Sequence, residues 1–494
     1  MQLPFGEWLP DQPDHLNPGA TVATNVYHAQ SSYKPVKGLV AYSGTSNVTQ
    51  NAKGAGSFRD NTNTVFTFVG TKDNIYKLTS GTFSSVKGSL TISGGDTDFF
   101  TFTQFGQFVI ASNGVNPPMY YEMGTSTNFA TLQSLASASG SGTVPAKFKV
   151  SGVIRDFLVT GNIEGAKNRV AWSGINDIST WEAGVSSSDT QDLPGSGGQV
   201  VAITSGEVGY VFREDQIIRM DFVGGNVVFR FSVISPNRGA VYGQTVCQDN
   251  RQVFFYASDG FFQINGDQIL PIGAEKVNRF FDGDLNKAYT DRITAAVDPF
   301  NTLAIWLYPS KDNPNTTGIC DKLLIYNYVT QKWSVAKVKA SQIFKQFVVA
   351  NTVELMDIIS ENLDDINISL DTAYWTTGHL YLGAVDENFK AAIFSGKTLE
   401  AELETKEQEI FPGLRANVTG IRPIVDAVAN VTIKTRDRLA DTVTTSTSST
   451  MNDTGINPVR QSGRYFRANV KIPAESIWTN AQGIDLTASQ GGSR

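Results

Sequence analysis

The 494-residue chain is poor in the residues that most often carry chemistry. It has three histidines, His15, His28 and His379, none adjacent to another, so a histidine triad or zinc site would need partners from distant loops. Two cysteines, Cys247 and Cys320, cannot build a disulfide framework, no C-x-x-C pair exists to hold zinc, and both read as buried thiols. Basic residues are not in excess: 40 Lys and Arg stand against 47 Asp and Glu, a net charge of -7. That balance argues against a protein that grips nucleic acid through a basic surface. No apolar run reaches bilayer length, and residues 1–6 show neither a basic n-region nor an apolar h-region. The expectation is a soluble product of a cytoplasm, without a targeting address. Neither G-x-S-x-G nor G-x-x-x-x-G-K-[ST] occurs; residues 193–198 (LPGSGG) are glycine-rich, but no Lys follows and no helix opens there.

Strand and turn residues are abundant, with 45 Gly, 30 Phe and 16 Tyr. Residues 207–281 read as a ribbon of hairpins: short runs rich in Val, Ile, Phe and Tyr, turning at Ser258-Asp259-Gly260 and at Asn265-Gly266-Asp267. Asp-Gly and Asn-Gly between apolar runs favour tight hairpins because such turns need positive φ. A two-strand pattern of this kind recurs at 65–69 with 75–78, 108–111 with 119–121, 157–160 with 170–172, 208–212 with 217–220, 253–256 with 261–264 and 303–307 with 323–326. Residues 379–385 with 391–395 form a further candidate after a longer interval. The first six start about 43–51 residues apart, the period of propeller blades of four strands each. A lone four-stranded sheet exposes two apolar faces and two edges, and radial stacking covers them. The expected fold is therefore all-β, a β-propeller of about six or seven blades. Sandwiches in series are the alternative.

Three regions are expected: an extended Pro-rich arm over 1–38, a propeller over 39–396 with short helical insertions, and a C-terminal β-domain over 397–494. Pro4, Pro10, Pro13, Pro18 and Pro35 exclude a regular helix from the arm, while Phe5, Trp8, Leu9, Leu16 and Tyr27 suit docking on its own domain or on a neighbour. Helical insertions are expected at 275–293 and 353–370. The second is acidic, with Glu354, Asp357, Glu361, Asp364 and Asp365 and then Asp371, and reads as a solvated or inter-subunit face rather than a Ca²⁺ loop. Residues 134–143, 186–198 and 444–454 are Ser/Thr/Gly-rich surface loops. The last region alternates as strands at 400–404, 417–425, 430–435, 465–472 and 483–487, a small sandwich or open barrel.

Because propellers host glycosidases, paired carboxylates and the Ser-x-Asp-x-Gly-x-Thr-Trp turn are relevant tests. Neither Ser258-Asp259-Gly260 nor Ser173-Gly174-Ile175-Asn176-Asp177 matches that turn. Arg213, Arg219, Arg230, Arg238 and Arg251 stand near aromatics that could stack on nucleic acid, but pairing with Glu214, Asp215 and Asp221 explains them at least as well. No catalytic, cofactor-binding or metal-ligating residue is assigned from sequence, and an enzyme is not expected.

Several segments carry a resemblance: residues 168–177 (NRVAWSGIND) with Trp181, residues 211–220 (VFREDQIIRM), Arg238-Gly239-Ala240, Ser258-Asp259-Gly260-Phe261-Phe262, Pro271-Ile272-Gly273, and residues 324–328 (LIYNY) with Trp333. With the opening Pro4-Phe5-Gly6-Glu7-Trp8-Leu9-Pro10-Asp11 and the late Gly463-Arg464-Tyr465-Phe466-Arg467, they resemble the tail hub, or nozzle, proteins of short-tailed bacteriophages, also called packaged-DNA stabilisation or tail accessory proteins. The resemblance implies a structural virion protein of the head-to-tail connector, assembled in the host cytoplasm. It implies a homohexameric ring that extends the DNA channel below portal and adaptor, retains and conducts the genome during DNA ejection, and anchors fibres or spikes. It further implies double-stranded DNA passing the lumen without sequence-specific binding, no membrane insertion by this chain and no cofactor. A receptor- or glycan-binding propeller of the tail, or a propeller glycosidase, is the alternative.

Overall fold

The computed structural model describes residues 1–15, 17–41, 46–79, 81–225, 227–313, 318–347 and 380–492. Among the described residues, seven four-stranded antiparallel blades surround a central channel. Five are separate sheets, spanning 55–85, 101–131, 148–192, 200–235 and 247–271. The sixth and seventh share the strand Lys332–Phe347. Its first half is the outer strand after Thr294–Asp298, Leu303–Tyr308 and Cys320–Asn327. Its second half is the inner strand of the last blade, followed by Leu380–Asp386, Ala391–Ile393 and Val40–Ala41. The ring is thus closed by two residues from near the start of the chain.

Each gap between neighbouring blades holds its own apolar layer. Phe68 and Phe100 meet Val109 and Tyr121 between the first two blades, and Phe344 and Val385 of the last blade meet Val69 and Tyr76 of the first. Radial packing therefore covers every blade face, as the pattern predicted. The recurring two-strand pattern corresponds to the second and third strands of each blade. Those strands lie inside the stack, and Phe157–Ile163 and Leu303–Tyr308 are buried along their whole length.

Polar outer strands depart from the sequence reading. Asp189–Asp192, within a stretch expected to be a loop, is an exposed fourth strand paired with Ala166–Trp172. Leu132–Ser139, also overlapping an expected loop, is a helix that buries Leu132 and Ala136. The expected helix over 275–293 is broken: Asn278–Asp284 is helical, the backbone becomes extended at Leu285, and Lys287–Arg292 is a 3₁₀ segment. Val277, Phe281, Leu285 and Ile293 still reach one core, so apolar spacing survives where helical continuity does not. The expected helix over 353–370 lies outside the described residues.

Residues 1–38 are woven into the C-terminal β-domain. Gln2–Pro4 and Ser32–Pro35 pair with Ala481–Gln490, and Val26–Ala29 pairs with Ser32–Pro35. That sheet continues through Ala416–Val425 to Asn457–Gly463. It packs on a second sheet of Ala401–Glu404, Tyr465–Ile472 and Asn430–Arg436, giving a β-sandwich. Val22–Thr24 lies between Lys332–Phe347 of the propeller and Ala401–Glu404 of the sandwich. One continuous sheet consequently runs from the sixth blade into the terminal domain, and both share an apolar core containing Trp8, Trp306, Trp333 and Val470.

Candidate functional site

The first strand of every blade faces the axis, and together they enclose a cavity of about 930 Å³. Its wall mixes aromatic rings (Phe58, Phe102, Phe344) with amides (Asn162, Gln244, Gln342). Its charged lining residues balance, with Lys149 and Lys345 against Glu214 and Asp291. Lys345 is engaged through Nζ with the carbonyl of Gln248 at 2.8 Å, and Gln199 Nε2 donates to Glu214 at 2.8 Å. A second cavity, of about 300 Å³, lies where Trp8 and Asn17 meet Phe280 and Lys322. There Lys322 Nζ sits 2.8 Å from both carboxylate oxygens of Asp284, which also accepts from the Tyr308 hydroxyl at 2.8 Å. That arrangement ties the short helix to the sixth blade.

The residues singled out in the sequence do not converge. His15 stacks edge-on against Tyr465 at 5.6 Å, His28 lies in strand Val26–Ala29 beside Lys332, and His379 lies outside the described residues. Cys247 and Cys320 are free, buried thiols. Burial pushes Cys247 up to about 12 and Cys320 higher, so neither is a ready thiolate. Among the described residues, no group of three or more His, Cys, Asp and Glu is placed to hold a metal ion. The acidic residues 354–371 lie outside them.

The arginines serve the framework. Arg213, 2% exposed, donates to the carbonyls of Pro194, Gly195 and Gly198 and to Gln216 Oε1, at 2.7–3.2 Å. The glycine-rich loop 193–198 is therefore a wrapping for a buried guanidinium. Arg219 pairs with Asp221 and Asp267, Arg230 approaches Asp221 at 3.7 Å, and Arg251 is exposed. Arg238 grips Asp259 and lies over the Phe262 ring at 4.2 Å. A Cβ on its neighbour Gly239 would stand 1.9 Å from the Arg213 carbonyl, so only glycine allows this junction between the fourth and fifth blades. Similarly, Gly260 has φ +130° and abuts Asn278, whose Oδ1 accepts from the Phe261 amide. In the other turn tested, Asp177 accepts from Ser179 and Thr180 at 2.6–2.8 Å, a closed local cap.

His28 supplies a pH-dependent element. It is buried, 3.0 Å from the Lys332 ammonium, and desolvation followed by that charge lowers its pKa from 6.5 to about 4. The folded state keeps it neutral while an unfolded chain would take up a proton below 6.5. Its contribution is therefore present above pH 6.5 and lost as pH falls towards about 4. Allowing for solvent screening, the loss is about 2 kcal/mol. Thermal melts from pH 7.5 to 4 are expected to show this acid-side loss in the parent and a smaller one in His28→Gln; equal slopes would contradict it.

No family model matches the chain, and no curated protein matches it. Among solved structures it is similar to the computationally designed Ika8 protein (10% identity, 76% of this chain and 96% of that one, TM-score 0.37). It is also similar to a chain of the mitotic checkpoint complex (10%, 74% and 93%, TM-score 0.39) and to the Neurospora crassa Pan2 WD40 domain (9%, 74% and 96%, TM-score 0.37). The extracellular domain of a putative one component system from B. thetaiotaomicron is similar over 82% of this chain and 44% of that one, at 10% identity and TM-score 0.39. By its own sheets and interblade layers, the chain is an all-β protein built on a β-propeller.

Proposed function

We propose that the protein is a structural subunit of a short-tailed phage tail, assembling as a homohexameric ring below portal and adaptor. In that position it extends the DNA channel, helps retain the genome and offers fibres or spikes an anchorage. The observation that carries the reading is the weld between propeller and sandwich. Val22–Thr24 hydrogen-bonds to both, and their cores merge, giving one stiff body suited to bearing load between neighbours. Hinged domains, by contrast, meet through small polar interfaces.

Three of the segments that carry the phage resemblance support it further, because they hold neighbouring elements together. Arg238-Gly239-Ala240 joins the fourth and fifth blades, Ser258-Asp259-Gly260 and Gly273 close on Asn278, and Trp333 donates to the Ile272 carbonyl at 2.8 Å. A net charge of -7 also suits a conduit, since a wall that neutralises few phosphates lets DNA pass. Head-to-tail contacts close into a ring only through rotational symmetry. The protein mixed with portal and adaptor is expected to form six-fold rings in electron micrographs; a protein that remains monomeric in that mixture would sink the proposal.

A further inference from the structure

We infer that the outer edge of the fourth blade is a docking site for an extended segment of another protein, added to the blade as a further β-strand. The inference does not depend on ring assembly. Phe229–Ser235 is the last strand of its sheet, and among the described residues only Ile217–Phe222 pairs with it. An outer strand turns a row of amides and carbonyls away from the sheet, a template for another chain. Proteins blunt such edges by keeping them short or by placing charge or proline on them.

The other outer strands of the propeller follow that rule. Thr82–Ser85 has four residues, Ala130–Thr131 and Val40–Ala41 have two, Asp189–Asp192 carries an aspartate at each end, and Gln268–Pro271 ends in proline. The outer strand of the sixth blade is long, but Val22–Thr24 already lies against it. The chain thus covers one long edge with its own extended segment and leaves the other, seven residues in length, open. The single charge on the open strand, Arg230, lies 3.7 Å from Asp221, and the register shifts only near the end, at Ile234.

Apolar surface gathers at the same edge. Cross-strand partners share a face of the sheet, so Phe229, Phe231 and Val233, opposite Phe222, Met220 and Ile218, form one row facing the third blade. Burial falls along that row, from Phe229 at 4% exposed to Val233 at 46%. Across the gap stands Trp172, its ring 6.2 Å from that of Phe231. Val223 and Val227 are exposed in the turn that opens the strand, and Ile175 and Val185 in the connection that Trp172 holds through the Ser187 carbonyl. With Val233 they make five of the twelve exposed large apolar side chains among the described residues. Asp189 pairs opposite Trp172 and so faces the same gap; it is exposed, and among the described residues its carboxylate accepts only from the Thr190 amide. The segment this edge fits therefore carries β-branched residues at alternate positions and a Lys or Arg to reach Asp189. A second copy of the edge would bring only Arg230, which already has Asp221 beside it.

The test is fluorescence-anisotropy titration of the full chain with three labelled peptides: KVTVTVK, its acidic form EVTVTVE and the proline-broken KVTPTVK. KVTVTVK is expected to bind more tightly than either of the others and to protect the amides of Phe229–Ser235 from hydrogen exchange. Val233→Lys, at an exposed position, is expected to weaken that binding about tenfold at an unchanged melting temperature, as a charge placed on an edge blocks pairing. Asp189→Lys is expected to reverse the preference between the basic and acidic peptides. If one variant does not fold, the other carries the comparison. No binding of KVTVTVK at millimolar concentration, equal binding of the three peptides, protection confined to another strand, or unchanged affinity in the folded variants would overturn the inference. So would sedimentation showing a dimer that Val233→Lys returns to monomer, since the occupant would then be a second copy.

Discussion

Deleting residues 1–38 is expected to unfold the terminal sandwich while leaving all seven blades their strands. The segment contributes Leu3, Phe5, Trp8, Val26 and Tyr33 to the shared core, all at most 8% exposed. At about 1.5–3 kcal/mol for each large buried side chain, their loss is on the order of 10 kcal/mol. A whole domain is typically stable by only about 5–15 kcal/mol. The deletion also removes Val22–Thr24, the strand between propeller and sandwich, and strips the partners of Ala481–Gln490. Blade seven keeps its outer strand, because Val40–Ala41 lies beyond the deletion. Limited proteolysis of a 39–494 fragment should therefore degrade residues beyond 397 first, and a synthetic 1–38 peptide added in trans should restore protection by strand addition. A fragment whose terminal domain resists protease as the full chain does would show that the segment is ornamental.

The propeller was legible because its signal is local. Second strands such as Phe157–Ile163 and Gln252–Ala257 are apolar runs beside tight turns, and burial on both faces imposes that composition wherever a blade repeats. Outer strands carry no such constraint, which hides Asp189–Asp192 among polar residues. Closure was illegible for another reason: Val40–Ala41 is two residues long and pairs with Ala391–Ile393 across most of the chain. The first 38 residues looked extended because of their prolines, but strands of three or four residues between them have too little pattern to announce partners such as Ile484 or Leu403. The cavity was less legible still. Asn162, Gln244 and Gln342 are ordinary polar residues about 80–100 positions apart in sequence, and only the closed ring brings them to one space.

Replacing Glu407 by Ala is expected to destabilise the sandwich by about 3–5 kcal/mol, the usual result of orphaning a buried charge. Glu407 is 4% exposed and accepts from Arg436 Nε at 2.8 Å, with Arg467 Nε 3.8 Å away. Its neighbour Glu404, 1% exposed, accepts from the Thr21 hydroxyl at 2.9 Å and pairs with Lys434 and Arg467, while Arg467 reaches Asp14 at 3.0 Å. Lys434, Arg436 and Arg467 thus face Glu404, Glu407 and Asp14, a balanced set that spans both ends of the chain. Arg436 is held above its ordinary pKa chiefly by its hydrogen bond to Glu407, so removing that carboxylate leaves a cation that cannot discharge. The double replacement Glu407→Leu with Arg436→Met removes both members, leaves Arg467 its contacts with Asp14 and Glu404, and should recover most of the loss. Hydrogen exchange along Asn430–Arg436 and Tyr465–Ile472 provides the readout, since those strands carry the pair's neighbours. A neutral Glu407→Ala would mean that solvent screens the cluster. A double variant as damaged as the single would mean that packing, not the pairing of charge, is what the two side chains supply.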